Sequence, residues 1–225
     1  MNFYGQNGED FIIWEAFKDY PSGFFLDVGA LDGIHLSNSL AFEQAGWKGL
    51  CVEAHPGYIT RLKANRPNSI CEHCAISDRD ADAQDFYASA LGSFSSVSAD
   101  FVSYFQKHFG QEKLGYKKIK VNFRTIDTLL ANNNISHVDF VSLDIEGTEY
   151  EALTKFNVAK YQPKVLVIEV LSDQRFKLIT DWLAKYGYIL ARQVKQNAFY
   201  CLDKLTTDKI VAAKVTCKLV HTPQP

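Results

Sequence analysis

Four residues near the start of the chain have the types and spacing of a nucleoside-binding site. Asp27 lies at the end of a short apolar run, Gly29 and Gly33 follow it, and Glu53 stands twenty positions after Gly33. A strand, a glycine-bearing turn, a helix and a second strand ending in an acid place that acid beside the ribose hydroxyls of a nucleotide. This spacing therefore predicts an adenosine-binding site.

The turn indicates which adenosine ligand would bind. Dinucleotide sites use the pattern G-x-G-x-x-G, but Leu31 and Ile34 occupy the positions of the second and third glycines. Asp27 would also repel a diphosphate, whereas it suits a ligand with a cationic amino-acid end. S-adenosylmethionine is such a ligand. The alternative is an ordinary crossover between two strands, in which the glycines only turn the chain.

A second group of acids follows the apolar run 138–143. Asp144 and Glu146 come at the end of this predicted strand, Gly147 allows a sharp turn, and Glu149 lies on the helix that should follow. Acids placed this close together repel one another unless a cation, a metal or a shared proton compensates. We interpret Asp144 and Glu146 as functional residues. For Glu149 the alternative is equally good, namely that the acid favours the helix N-terminus through its dipole.

A third polar pair, Ser77 and Asp78, follows the predicted strand 69–76 and would lie at the same edge of the sheet. Asp78 could accept a hydrogen bond from an adenine amino group; the alternative is an ordinary loop acid. Cys71 and Cys74 also have a spacing found in metal sites. Residues three apart in a strand face opposite sides, however, so these thiols would not share an ion. We assign no metal ligands.

The elements that would position these residues alternate between strands and helices along the chain. This alternation predicts an α/β domain with a mostly parallel sheet and helices on both faces. A helix within 1–22 would pack on the sheet or form a lid over the site. Residues 84–116 interrupt the alternation, and we interpret them as an insertion that covers the acceptor or, alternatively, as a satellite hydrophobic cluster. The tail after Asp203 should be loosely packed.

Composition limits the classes of function. The chain has 225 residues, 47% of them hydrophobic and 22% charged, which suits one domain, 1–225, with a large core. A net charge of -2 argues against a nucleic-acid partner. We find no apolar run that could span a bilayer and no signal peptide, so we expect no membrane insertion and a cytoplasmic location. The five cysteines should be free thiols.

Taken together, these motifs resemble those of a known family. Asp27-Val28-Gly29-Ala30, Glu53 and Leu143-Asp144-Ile145-Glu146-Gly147-Thr148-Glu149 occur in this order, after an opening motif Gly5-Gln6-Asn7-Gly8-Glu9-Asp10. From about Tyr4 to Val170 the sequence resembles the FkbM family of S-adenosylmethionine-dependent methyltransferases. The resemblance implies a Rossmann-like class I fold with a seven-stranded sheet whose last strand is antiparallel. It also implies O-methyl transfer to a hydroxyl, often of a sugar or polyketide, and so a small-molecule or glycan acceptor.

The resemblance further implies a role for individual residues. The methionine part of the cofactor would contact Asp27, Gly29, Asp32 and Gly33; the ribose would contact Glu53; the adenine would contact Ser77 or Asp78; and the transferable methyl group would lie next to Asp144. Leu31 stands where family members often carry Asn, and Asp32 would supply the missing polar group. The candidates for the base that removes the acceptor proton are Asp144, Glu146 and His35. As an alternative to a base alone, the grouped acids would hold a magnesium ion.

Two other functions remain open from the sequence. A nicotinamide or nucleotide-sugar oxidoreductase could use the same sheet, although it would need the glycine fingerprint that Leu31 and Ile34 interrupt. A non-catalytic nucleotide-binding module would keep the cofactor site without an acceptor site. The sequence does not specify the acceptor or the oligomeric state.

Overall fold

Two sheets and nine helices make up the described part of the chain, residues 1–109 and 114–220 of a computed structural model. The strands are β1 (Phe24–Val28), β2 (Lys48–Val52), β3 (Ile70–Glu72), β4 (Ala75–Ile76), β5 (Ala81–Ala88), β6 (Lys117–Arg124), β7 (Phe140–Leu143), β8 (Val165–Glu169), β9 (Ile189–Val194) and β10 (Asn197–Cys201). The helices are α1 (Glu9–Phe17), α2 (Leu40–Gln44), α3 (Pro56–Asn65), α4 (Ala99–Phe109), α5 (Ile126–Asn132), α6 (Glu149–Thr154), α7 (Val158–Tyr161), α8 (Asp173–Ala184) and α9 (Lys204–Ala212).

The central sheet has seven strands in the order β3-β2-β1-β7-β8-β10-β9. The neighbours from β3 to β8 pair in parallel, and β10 pairs antiparallel with both β8 and β9. The predicted mostly parallel sheet with an antiparallel last strand is therefore confirmed. Apolar clusters cover both faces of this sheet, as its strands require when they are hydrophobic on each side.

The register of the central strands determines where the site lies. Val28 is level with Val52 and with Leu143, and Leu143 is level with Ile168. Parallel strands that end level deliver their next residues to one edge of the sheet. Those next residues are Gly29, Glu53, Asp144 and Glu169.

Helices α1 and α9 pack on the same face of the sheet. Ile13 and Phe17 of α1 are buried in the cluster that contains Phe25 and Phe140, so the predicted N-terminal helix lies on the sheet. The prediction of a loose tail after Asp203 is wrong. Ile210 of α9 is fully buried in the same cluster, and Asp203 caps α9 by accepting a hydrogen bond from the Thr206 amide at 2.8 Å.

The predicted strand 69–76 is also wrong, because it is two strands in two sheets. β3 belongs to the central sheet, whereas β4 pairs with β6 in a three-stranded sheet of order β4-β6-β5. Cys71 and Cys74 pack in clusters on opposite faces of the central sheet, although they do not belong to one strand. All five cysteines are free.

We call residues 84–116 the cover segment; of these, 110–113 lie outside the described residues. The segment contains most of β5 and all of α4. On α4, Phe101 is buried and its ring stacks on that of Phe105 at 4.4 Å. None of the helices in the described ranges combines the length and the apolar character that crossing a bilayer requires.

Candidate active site

A cleft of about 1120 Å³ opens at the carboxyl edge of the central sheet, beneath the cover segment. Acidic side chains dominate the floor of this cleft. The carboxylate-bearing residues of the floor are Glu9, Asp27, Glu53, Asp144, Glu146, Glu149 and Glu169. A cleft with this charge favours a cationic ligand over a phosphate.

The turn after β1 brings the two halves of the floor into direct contact. Gly29 has a φ of +86°, and a Cβ atom placed on it would lie 1.8 Å from the carbonyl oxygen of Asp144. The amides of Gly29 and Ala30 both donate to the Val52 carbonyl at 3.0 Å. Only glycine fits this close approach between β1 and β7.

Glu53 holds the same turn from the other side. Its carboxylate accepts hydrogen bonds from the Leu31 amide at 2.9 Å and the His55 amide at 2.6 Å. Leu31 adopts a left-handed φ of +47°, which points its amide at that carboxylate. Burial raises the pKa of Glu53 to about 7, against the opposing effect of these backbone hydrogen bonds.

A buried arginine supports Asp27 from below. Arg66 is fully buried and pairs with Glu43 at 2.7 Å, and its guanidinium also donates to the Ser39 hydroxyl at 3.0 Å. Ser39 in turn donates to the Asp27 carboxylate. Burial raises the pKa of Asp27, and the positive charge of Arg66 partly offsets this rise.

Three carboxylates meet at the other end of the floor. Asp144, Glu146 and Glu169 each offer an oxygen, and these oxygens lie within 4.8 Å of one another. We call these residues the carboxylate cluster. Glu169 was not predicted as a site residue, although the apolar run 165–168 ends at this acid. Its place in the cluster depends on β8 being the neighbour of β7, which the sequence pattern does not specify.

Ionisation of all three carboxyl groups of the carboxylate cluster at once is unfavourable. Asp144 is exposed to the cleft, and desolvation by the surrounding protein raises its pKa to about 6. Burial raises the pKa values of Glu146 and Glu169 well above their usual range, and the neighbouring acids add to both shifts. A group that exchanges its proton near neutral pH can serve as a general base.

Glu149 has a different part in the same turn. It is buried, and one carboxylate oxygen accepts from the Ile145 amide at 3.1 Å and the Gly147 amide at 2.9 Å. These bonds hold the turn between β7 and α6, in which Glu146 has a left-handed φ of +58°. Burial raises the pKa of Glu149 to about 7.

The structure brings some of the other predicted residues into the cleft and leaves others outside. His35 lines the cleft, whereas Asp32, Gly33, Ser77 and Asp78 are not among the described residues that line it. Asp32 holds the turn instead, since one carboxylate oxygen accepts from the amides of residues 34 and 35 at 2.9 and 2.8 Å.

Gly33, Ser77 and Asp78 also lie outside the cleft lining, for different reasons. A Cβ atom on Gly33 would lie 2.5 Å from the Arg66 side chain, behind the floor. Ser77 and Asp78 come directly after β4, which belongs to the second sheet. Asp78 forms an exposed ion pair with Arg79 at 2.9 Å. The expected position at the edge of the central sheet fails because the chain leaves that sheet after β3.

Three polar residues of the cleft were not predicted. Glu9 is buried and accepts a hydrogen bond from Asn197 at 3.0 Å. Asn38 donates to Ser142 at 3.1 Å, but its carbonyl oxygen has no partner, and neither has the buried hydroxyl of Thr148. Buried polar atoms without partners are uncommon in folded proteins. A ligand with hydrogen-bonding groups in the cleft would satisfy them.

The raised carboxyl pKa values predict that the ligand-free protein loses stability as pH rises from about 4.5 to 7. Glu53 and Glu149 bind their protons more tightly in the folded protein, where their pKa values are about 7, than at the ordinary value of 4.5. The folded state therefore holds more protons in this window, and the free energy of unfolding falls with pH. A shift of this size corresponds to about 3 kcal/mol per group.

Thermal unfolding midpoints measured at pH 5.0 and 7.5 would check this expectation. The midpoint should be lower at pH 7.5, and the variant Glu53→Gln, which cannot titrate, should show a smaller difference. A midpoint that is higher at pH 7.5 than at pH 5.0 would contradict the expectation that ionising the buried carboxyl groups destabilises the folded protein.

The fold and the cleft together define a class of protein. The seven-stranded sheet with its antiparallel last strand, and a ligand cleft at the carboxyl edge of β1, β2 and β7, are those of Rossmann-like class I methyltransferases. The sequence model of the methyltransferase FkbM domain matches residues 27–190. The chain therefore belongs to the FkbM methyltransferase family, whose cofactor is S-adenosylmethionine. This membership excludes the oxidoreductase alternative.

The chain is also similar to several solved structures. The METTL16 methyltransferase domain is 10% identical, with a TM-score of 0.50 over 88% of this chain and 67% of that chain. A precorrin-6y C5,15-methyltransferase from Geobacter metallireducens is 9% identical, with a TM-score of 0.46 over 85% of each chain. TrmK of M. capricolum, solved with S-adenosyl-homocysteine, is 9% identical, with a TM-score of 0.42 over 84% of this chain and 65% of that chain. A search of curated proteins finds no match.

Proposed function

We propose that this protein transfers the methyl group of S-adenosylmethionine to a hydroxyl of a small molecule or glycan. The observation that carries the proposal is the level register of β1, β2 and β7, which turns Glu53 and Asp144 toward one cleft. An acidic floor suits the positive charges of the sulfonium and the amino group of this cofactor.

The cofactor would lie across the contact between Gly29 and Asp144. Asp27 would hold its amino-acid end, because this carboxylate lines the cleft beside Gly29, and Asp144 would lie next to the transferable methyl group. Glu53 would accept hydrogen bonds from the ribose hydroxyls, since it lies at the end of the adjacent strand β2. The predicted adenine contacts at Ser77 and Asp78 are less well supported. Ala75 and Ile76, which line the cleft just before them, offer the adenine an apolar surface instead.

Methyl transfer chiefly requires alignment and the removal of one proton. S-adenosylmethionine, when bound, supplies an electrophilic methyl carbon: its bond to the acceptor oxygen forms as its bond to sulfur breaks, and sulfur keeps the electron pair. The protein holds the acceptor oxygen in line with that bond in a site protected from water. A carboxylate of Asp144 or Glu146 takes the hydroxyl proton. His35, which lines the same cleft, is the alternative base.

The cover segment would bind the acceptor. Its aromatic side chains Phe94, Phe101 and Phe105 line the cleft above the acidic floor. Aromatic rings suit the apolar faces of sugar rings and other cyclic acceptors, while the floor below provides hydrogen-bond acceptors for hydroxyl groups. The net charge of -2 and the acidic floor disfavour a nucleic-acid acceptor.

A panel of glycosyl and polyol acceptors, assayed for release of S-adenosylhomocysteine, tests the proposed reaction. At least one member should be methylated, and Asp144→Asn should reduce its turnover by about 100-fold or more, because general-base catalysis contributes on that order. A wild-type protein that binds cofactor but methylates no hydroxyl compound in the panel would contradict O-methyl transfer.

Binding of S-adenosylhomocysteine, measured by calorimetry, tests the cofactor site separately. Glu53→Gln should weaken binding by about 10- to 100-fold, through the loss of charged hydrogen bonds worth roughly 1–3 kcal/mol. Glu72→Gln is the matched control, because Glu72 ends the next strand of the sheet and bonds to Asn133 outside the cleft. Equal affinities of wild type and Glu53→Gln for S-adenosylhomocysteine would show that Glu53 does not bind the cofactor.

A further inference from the structure

The carboxylate cluster is more acidic than a methyl transfer requires. We infer that Asp144, Glu146 and Glu169 form a binding site for one divalent cation, Mg²⁺ or Mn²⁺, on the floor of the cleft. One oxygen from each side chain lies within 4.8 Å of the other two, a spacing that small side-chain rotations convert into ligation of a single ion. A ligand set made only of oxygen atoms is typical of these hard cations.

One buried oxygen atom of the cluster also indicates a cation. The Oε2 atom of Glu169 is buried and accepts no hydrogen bond, although Glu169 lines the cleft. The Glu169 carboxyl group shares a hydrogen bond with Asp144 inside the cluster, but no hydrogen-bond donor of the described residues reaches this oxygen. A buried oxygen that no donor reaches is costly, because it has lost its water. A cation held between Glu169 and Asp144 would supply the missing partner.

The turn that carries Glu146 is held rigidly before any ligand arrives. Glu149 fixes the amides of Ile145 and Gly147, and the Ser96 hydroxyl donates to the Glu146 carbonyl at 2.8 Å. The left-handed φ of +58° at Glu146 is unfavourable for a residue with a side chain and is maintained by these bonds. Ligands fixed in this way need little reorganisation to bind an ion.

The protein side chains do not neutralise the cluster. None of the ion pairs formed by the described residues includes Asp144, Glu146 or Glu169. Arg175 also lines the cleft, but it pairs with Glu151. A proton shared between Asp144 and Glu169 relieves part of the repulsion in the ion-free protein, and a divalent cation would take the place of that proton.

The cation site would also define the class of acceptor, a step that rests on the proposed function. An ion on the floor has coordination positions left for oxygen atoms of a substrate, because the protein supplies only three ligands. An acceptor with two neighbouring oxygen atoms, such as a vicinal diol, would fill two of them. Coordination lowers the pKa of the attacking hydroxyl and fixes its position, and the hydroxyl proton then passes to His35, the candidate base that is not a ligand of the ion.

Titration of the cofactor-free protein with Mn²⁺, followed by the paramagnetic resonance signal of free Mn²⁺, tests the site without any assay of activity. Wild type should bind one Mn²⁺ per chain, in competition with Mg²⁺. Glu169→Gln should weaken this binding by about 10- to 100-fold, because a direct ligand is lost. Glu9→Gln removes a charge from the same cleft outside the cluster, so it should weaken binding by no more than about threefold.

Two results would overturn the cation site. One is the absence of saturable Mn²⁺ binding to wild type; the other is an equal loss of affinity in both variants, which would indicate only a diffuse attraction to the acidic cleft. Thermal unfolding should first establish that both variants are folded. Calorimetry with S-adenosylhomocysteine in the presence of a chelator tests the cofactor site independently, so failure of one proposal is distinguishable from failure of the other.

Discussion

Replacing Gly29 with alanine is expected to abolish binding of S-adenosylhomocysteine and to lower the free energy of unfolding by roughly 3 kcal/mol or more. The added Cβ would lie 1.8 Å from the Asp144 carbonyl oxygen, which is backbone and cannot rotate away. Strands β1 and β7 would have to separate at the point where we place the cofactor. Calorimetry and chemical denaturation of the purified variant would measure both effects.

Gly46→Ala is the matched control for this variant. Gly46 also has a positive φ, +94°, but a Cβ atom there would meet nothing within 4 Å. It should therefore lose only the backbone preference of glycine, about 1–2 kcal/mol, and bind S-adenosylhomocysteine like wild type. Similar losses of stability in the two variants would mean that the close approach of Gly29 to Asp144 has no special cost.

Replacing Arg66 with methionine is expected to lower the free energy of unfolding by about 3–5 kcal/mol. Arg66 is fully buried, and its removal would leave the Glu43 carboxylate buried without its cation. It would also remove the donor to Ser39, the residue that supports Asp27. Affinity for S-adenosylhomocysteine should fall as well, because the turn beside Asp27 loses its anchor. Denaturation and calorimetry would quantify the two losses.

Two further variants distinguish a buried ion pair from an ordinary one. Lys177→Met breaks the pair of Lys177 with Asp181, which is largely exposed on α8, and should change stability by less than about 1 kcal/mol. The double variant Arg66→Met, Glu43→Leu removes both charges and should be more stable than Arg66→Met alone. A double variant that is less stable than Arg66→Met would contradict the argument from an uncompensated charge.

The part of the site that lies directly after an apolar strand could be predicted from the sequence. Glu53 and Asp144 each follow an apolar run, and parallel strands necessarily deliver such residues to one edge. Glu146 follows from the same rule, because it lies two residues beyond Asp144 in the same turn. These predictions needed only local patterns and the general behaviour of α/β sheets.

The part that depends on pairing between distant segments could not be predicted in the same way. Ser77 and Asp78 were assigned to the edge of the central sheet, but β4 pairs with β6, which lies more than forty residues further along. Asp32 was assigned to the ligand, and the sequence did not indicate that it also bonds to the amides of its own turn. The membership of Glu169 in the cluster required knowledge of strand order. Local apolar periodicity does not indicate which strands pair, their order in the sheet or the hydrogen bonds of a side chain.

The separation between the two sheets has a consequence for the evolution of the protein. The second sheet has its own small apolar core, which includes Phe86, Val121 and Phe123, and β1, β2 and β7 contribute none of the buried residues described in it. Ala75 belongs to this core and also lines the cleft, whereas α4 contributes none of the buried residues described in the core. Substitutions on α4 can therefore accumulate with little effect on the strands where we place the methyl donor. A scaffold of this kind allows descendants of one ancestor to acquire new acceptors while their shared chemistry stays intact.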